Sequence, residues 1–212
     1  MSTSQEDLFD YDSNRELINA AKVRALEALL IEKGVITSET TNKVLEYFDS
    51  EMGPFNGARL VARAWVDSAF KYRLLEDCNS ACEEMDFPTG MSGAEGEHIR
   101  VVENTPQVHN LIVCTLCSCY PFPVLGLPPY WYKDPTFRAR AAREPRTLLK
   151  ELGVELDDSV EVRAWDSSAQ NRWWVLPQRP AGTENMSEEE LATLVTPEAM
   201  MGVAKVQVPK SS

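Results

Sequence analysis

Leu111-Ile112-Val113-Cys114-Thr115-Leu116-Cys117-Ser118-Cys119-Tyr120-Pro121 decides the reading of this chain. An apolar run of strand type ends at Val113, and three cysteines follow within six residues. The 212-residue sequence has only five cysteines, so three of them directly behind a strand point to chemistry more than to packing. Thiolates are soft donors that hold transition metals, not magnesium or calcium. A Cys-x-x-Cys redox couple leaves the third cysteine unexplained, and the pair opens no obvious helix. Zinc asks for four ligands, commonly from two separated pairs, and an iron–sulfur cluster asks for four thiolates. His98 and His109, the only histidines, do not stand at ligand spacing. Each option falls one ligand short. The spacing also fits a tighter arrangement. Cys114 and Cys117 face each other across a turn, Cys119 closes a third corner, and the amide nitrogens of Ser118 and Cys119 share the centre. Five such donors around a small trivalent ion leave one position open for water or substrate.

Outward from this loop, Asn104 to Tyr132 contains no Asp, Glu, Lys or Arg. Five prolines interrupt it (Pro106, Pro121, Pro123, Pro128 and Pro129), whereas a membrane span needs about 20 continuous apolar residues. The segment reads as buried within a soluble protein. Strand-type runs occur at Ile99–Val102, Leu111–Val113, Val160–Trp165 and Trp173–Leu176. Helical patterns cover Thr136–Arg143, Pro145–Leu152 and Ser187–Val195, the last with a Ser187/Glu190 capping box. Upstream the pattern is helical throughout. Ser13 with Glu16 can cap a first helix that carries Leu17, Ala21, Leu26, Leu29 and Leu30 and stops at Gly34. Ser38–Met52, Ala58–Trp65 and a single helix from Asp67 to about Met85 follow. The predicted class is α+β: residues 1–12 a loose acidic tail, 13–87 an N-terminal helical arm, 88–212 a layered α/β domain carrying the cysteine loop.

Cys78 and Cys82 stand at i and i+4 on one helix face and read as buried packing thiols. Arg163, Asp166 and Arg172 read as surface or interface charges, and Trp131, Trp173 and Trp174 as core or interface. The net charge is −12, from 21 basic and 33 acidic residues, which argues against nucleic acid and anionic membranes as partners. Met1–Asp10 has neither the basic nor the apolar region of a signal peptide, so a cytoplasmic, reducing compartment is expected.

The cysteine motif resembles that of the nitrile hydratase alpha-subunit family. So do Val102-Glu103-Asn104-Thr105-Pro106, Gly126-Leu127-Pro128-Pro129, Trp131-Tyr132-Lys133, Gly57–Trp65 and Leu176–Glu184, and the resemblance extends over roughly residues 20–205. It implies an enzyme that hydrates nitriles to amides at one non-corrin cobalt(III) or non-haem iron(III) per chain. The implied ligands are the sulfurs of Cys114, Cys117 and Cys119 with the backbone nitrogens of Ser118 and Cys119. Cys117 would be oxidised to sulfinate and Cys119 to sulfenate, the latter oxygen acting as nucleophile or base. Thr115 between the first two cysteines resembles the cobalt members and favours cobalt over iron. A beta subunit would complete the pocket with arginines on the oxidised sulfurs, in an αβ or α2β2 assembly that takes a small nitrile. Glu95 stands where the family often has glutamine, and with Glu97 it is a candidate support for the sulfur shell. Phe122 stands where many members have tryptophan, which would reshape the pocket. Two rivals remain: the cobalt subunit of thiocyanate hydrolase, which shares the motif, and a non-catalytic cysteine-rich metal or redox protein. The Leu176–Glu184 segment favours the hydratase.

Overall fold

Strand pairs joined over long stretches of chain set the position of the cysteine loop. The computed structural model describes residues 13–50, 52–87, 98–117 and 119–208. Helices α1 (Ser13–Glu32), α2 (Ser38–Ser50), α3 (Pro54–Val66), α4 (Ser68–Glu76) and α5 (Cys78–Glu84) lead into strands β1 (His98–Glu103) and β2 (Val108–Val113). Next come α6 (Phe122–Leu125), a 3-10 turn (Tyr130–Lys133), α7 (Pro135–Arg143) and α8 (Pro145–Glu151). Strands β3 (Glu161–Asp166) and β4 (Asn171–Leu176) and the short helices α9 (Glu188–Ala192) and α10 (Pro197–Met201) complete the chain. The class is mixed α+β, as expected.

The strands form two parallel pairs, β1 with β4 and β2 with β3. Val113, the last residue of β2, lies opposite Asp166, the last of β3, so both strands end at the root of the cysteine loop. Helices α4 and α5 pack on β1, α7 on β2, α8 on β3 and α10 on β4. Fully buried Leu60, Phe70, Leu74, Leu111, Ile112, Phe137, Leu148 and Trp174 fill the space between these layers. Such side chains stabilise by roughly 1.5–3 kcal/mol each when removed from water.

Asparagines tie the two pairs together. Asn110 on β2 donates from Nδ2 to the Glu103 carbonyl on β1 at 2.7 Å, and its Oδ1 accepts from Trp165 Nε1 on β3 at 2.8 Å. Asn104 Oδ1 takes the Asn110 backbone N–H at 2.7 Å. Next to this knot His109 is buried, with Nε2 donating to the Gly202 carbonyl at 2.8 Å and Nδ1 facing the Asn104 amide at 3.4 Å. Burial holds its pKa below the usual 6.5, because a charged ring would lose its water. The unfolded chain therefore binds the proton more readily than the folded one. His109's contribution is full above pH 6.5 and is lost as the pH falls from there through the lowered folded value. His109→Gln keeps a donor for Gly202 but cannot titrate. It is expected to flatten that part of the stability curve, read as melting temperature against pH.

Some expected elements differ. The helix expected from Asp67 to Met85 is two helices, because Asp77 interrupts it. Its side chain accepts from Ser80 N at 3.2 Å and Ser80 Oγ at 2.8 Å, which caps α5 and ends α4. Helices α6 and α10 and the 3-10 turn were not expected from periodicity, since each spans at most five residues. The Ser187/Glu190 capping box is present at the start of α9. The acidic tail (1–12), the side chains of Ser13 and Glu16, and the loop 88–97 with Glu95 and Glu97 lie outside the described residues. Among the described residues no helix is long and apolar enough to cross a membrane.

Candidate metal centre

Strand β2 delivers Cys114 fully buried at its end, while Cys117 is exposed and Cys119 half-buried. The three sulfurs lie within 4.8 Å of one another. Cys114 Sγ is 3.3 Å from Cys117 Sγ, which is 3.1 Å from Cys119 Sγ. The Cys117 backbone N–H donates to Cys114 Sγ at 3.3 Å, closing the turn expected from the spacing. Ser118 lies outside the described residues.

These separations favour one coordination geometry. With sulfur about 2.3 Å from a metal, two thiolates at right angles stand ~3.3 Å apart, and two at the tetrahedral angle ~3.8 Å. The observed 3.1 and 3.3 Å match the right-angled case. The donor set therefore fits an octahedral transition-metal ion better than tetrahedral zinc. Without a cation Cys119 resists ionisation: burial, then the neighbouring Cys117 and Cys114 sulfurs, push its thiol up to about 12. A bound cation reverses this balance.

Side chains from three other segments hold the loop. Asp166, at the end of β3, accepts from Thr115 N at 3.0 Å and Thr115 Oγ1 at 2.5 Å. Tyr132 donates its hydroxyl to the Cys119 carbonyl at 2.9 Å, and Arg138 Nη1 donates to the Cys117 carbonyl at 3.0 Å. Arg172 Nη1 donates to the Tyr120 carbonyl at 3.2 Å. Asp166 and Arg172 thus act on the loop, where the sequence suggested surface or interface charges, whereas Arg163 pairs with Glu161 at 2.8 Å. Arg138 was not singled out from sequence, and Tyr132 was noted only within the Trp131-Tyr132-Lys133 segment, with no role assigned to it. Asp166→Ala removes both anchors of Thr115 from an exposed site. It is expected to weaken metal retention by about 10–100-fold, the usual effect of losing a ligand's support, with little change in melting temperature. Elemental analysis and a melting curve of the purified protein check this.

Phe122 lies beside the loop, with its ring 5.7 Å beneath the Arg172 guanidinium and 6.0 Å from Tyr120. Trp131 and Trp174 are buried, and Trp173 stacks at a tilt on Trp165 at 4.5 Å. Cys78 and Cys82 form a separate buried pair at 3.9 Å, where Cys78 Sγ accepts from Trp174 Nε1 at 3.4 Å. Burial pushes the Cys78 thiol well up, as suits a packing residue.

The family model described as nitrile hydratase, alpha chain, matches residues 18–204. The alpha subunit of the low-molecular weight cobalt-containing nitrile hydratase of Rhodococcus rhodochrous is 54% identical over 200 residues, covering 94% of each chain. The thiocyanate hydrolase gamma subunit of Thiobacillus thioparus is 38% identical over 193 residues, covering 88% of this chain and 78% of its own. Among solved structures, a double mutant of the Fe-type nitrile hydratase from Comamonas testosteroni Ni1 superposes with a TM-score of 0.83. It shares 40% identity and covers 95% of both chains.

Proposed function

The chain belongs to the nitrile hydratase alpha-chain family, and we propose that it is the metal-holding catalytic subunit of an enzyme that adds water to nitriles to give amides. The observation that carries this is the close cluster of the Cys114, Cys117 and Cys119 sulfurs, all within 4.8 Å of one another, inside a family match that spans 18–204. Those sulfurs, with the backbone nitrogens of Ser118 and Cys119, would hold the ion. Cobalt is the favoured metal, in keeping with the 54% identical cobalt-containing relative and with Thr115. When bound, a trivalent ion supplies Lewis acidity toward the nitrile.

The rest of the chemistry falls to the chain. In this reading Cys119 is carried as sulfenate and Cys117 as sulfinate, the first and second rungs of thiolate oxidation. The Cys119 oxygen serves as nucleophile or as the base that takes a proton from water. Asp166, Tyr132 and Arg172 keep the loop from relaxing as its charge changes, which is where preorganisation lowers a barrier. Phe122 shapes the wall. Glu95 and Glu97 would support the sulfur shell.

A beta subunit is the implied partner, in an αβ or α2β2 complex. Leu17, Ile18, Val23, Leu26 and Leu29 of α1 and Val44 and Leu45 of α2 are exposed, which is apolar surface for a partner to cover. Leu116, at the tip of the cysteine loop, is 88% exposed, so a partner can also close the site.

The test is co-expression with the beta subunit, followed by elemental analysis and turnover assays. About one cobalt per alpha chain, with amide formed from a neutral aliphatic nitrile and no turnover of thiocyanate, is the expected result. Thiocyanate turnover alone would move the assignment to the hydrolase, and labile zinc or no metal would remove the catalytic reading.

A further inference from the structure

Building on the function proposed above, we propose that Arg138 is a positioning residue of the metal centre, setting the orientation of the peptide unit that follows Cys117. Arg138 Nη1 donates to the Cys117 carbonyl at 3.0 Å. That oxygen belongs to the same peptide unit as the Ser118 nitrogen, one of the two backbone donors named above. A peptide unit is planar and turns as one piece, so a bond on its oxygen sets the direction of its nitrogen. Tyr132 holds the Cys119 carbonyl at 2.9 Å, the oxygen of the peptide unit that leads out of the loop to Tyr120. The carbonyls on both sides of position 118 are therefore held from one short segment, residues 132–138.

The support for Arg138 is itself rigid. Helix α7 begins at Pro135, and Asp134 caps it by accepting from Thr136 N at 2.7 Å and Phe137 N at 3.1 Å. Phe137, next to Arg138, is fully buried with its ring 4.9 Å from Trp131. Arg138 thus starts from a fixed point.

Stability alone does not account for this arginine. Its Nε is buried without a hydrogen-bond partner, and among the described residues it forms no ion pair with a carboxylate. An unsatisfied buried donor is a cost to folding. An unneutralised guanidinium on the Cys117 carbonyl is suited to a loop that becomes anionic when it binds a cation. The partner arginines implied by the family would act on the sulfur oxygens. Arg138 would act on the backbone, from within the same chain.

The experiment compares R138Q, R138K and R143Q with wild type in the assembled cobalt-loaded complex. R138Q is expected to shift the visible sulfur-to-metal absorption band. It should lower kcat per bound cobalt about tenfold or more while KM stays within about twofold. R138K, which restores the charge without the planar fork, should recover part of both. R143Q, at the exposed end of the same helix, should change neither. An unshifted band with wild-type kcat in R138Q overturns the proposal, and so does an equal effect of R143Q, which would reduce it to surface charge. If R138Q does not assemble, the R138K band decides: shifted in support, unshifted against. Wild type keeps the two failures apart. A wild-type complex without cobalt, iron or nitrile turnover overturns the function itself, whereas a normal wild type with a silent R138Q overturns only the role of Arg138.

Discussion

Cys114→Ala in the assembled complex is expected to leave a folded protein that has lost its metal and its nitrile turnover. Cys114 is the most enclosed of the three sulfurs, fully buried at the end of β2, and its Sγ also accepts the Cys117 N–H at 3.3 Å. The substitution therefore removes a donor and the strut that keeps Cys117 turned inward. Alanine fills most of the space, so the packing loss is small, about 1 kcal/mol on the scale of a minor core truncation. Metal content should fall to about a tenth or less and turnover by about a thousandfold, the scale on which losing part of a reacting group registers. Cys114→Ser is expected to do no better, since a hard hydroxyl is a poor substitute for thiolate on a transition metal. Elemental analysis, amide formation and a melting curve on the same sample separate the effects. Full metal content and turnover in Cys114→Ala would remove Cys114 from the ligand set.

Among the described glycines, Gly202→Ala is expected to be the most damaging added methyl. Gly202 ends α10 with φ +82°, in the left-handed region that a side chain enters at a cost of about 1–2 kcal/mol. An added Cβ would also run into the backbone carbonyl of Asn110, which belongs to the knot joining the strand pairs. Neither atom is the end of a flexible side chain, so relief requires backbone movement, costing about 1–3 kcal/mol more. The expected total of about 2–5 kcal/mol lowers the melting temperature of a chain this size by about 10 °C. The Gly202 carbonyl that receives His109 Nε2 would be displaced as well. Thermal unfolding of the variant checks this, and an unchanged melting temperature would refute it.

What could be read from the sequence follows the range of the interactions. The three cysteines are neighbours in sequence, so their cluster was legible from spacing, and so were the strand runs and the longer helices. Asp166 was visible as a charge at a strand end, but not as the anchor of Thr115. That role arises only when β3 pairs with β2, 53 residues away at Val108↔Glu161. Arg172 reaches Tyr120 across 52 residues. Arg138 and Tyr132 depend on a proline-rich segment whose path no periodicity describes. The break at Asp77 was readable in principle, because Asp-x-x-Ser is a helix-starting pattern, but a helix-length run of apolar spacing obscured it.

The pairing of β1 with β4 closes a loop of 73 residues at His98↔Asn171, and that of β2 with β3 encloses most of the chain between them. Contacts so distant in sequence form late and slowly, because chain entropy must be lost before they stabilise anything. The root of the cysteine loop consists of the ends of β2 and β3, so it does not exist until those contacts form. A chain emerging from the ribosome thus presents its three thiols unshaped until residues near 166 have been made and paired. A metal ion offered earlier meets a flexible tangle of sulfur and not a shaped site. Capture of the ion is accordingly expected to track the slowest folding phase, and a protein slowed in strand pairing would take up metal late even with every ligand intact.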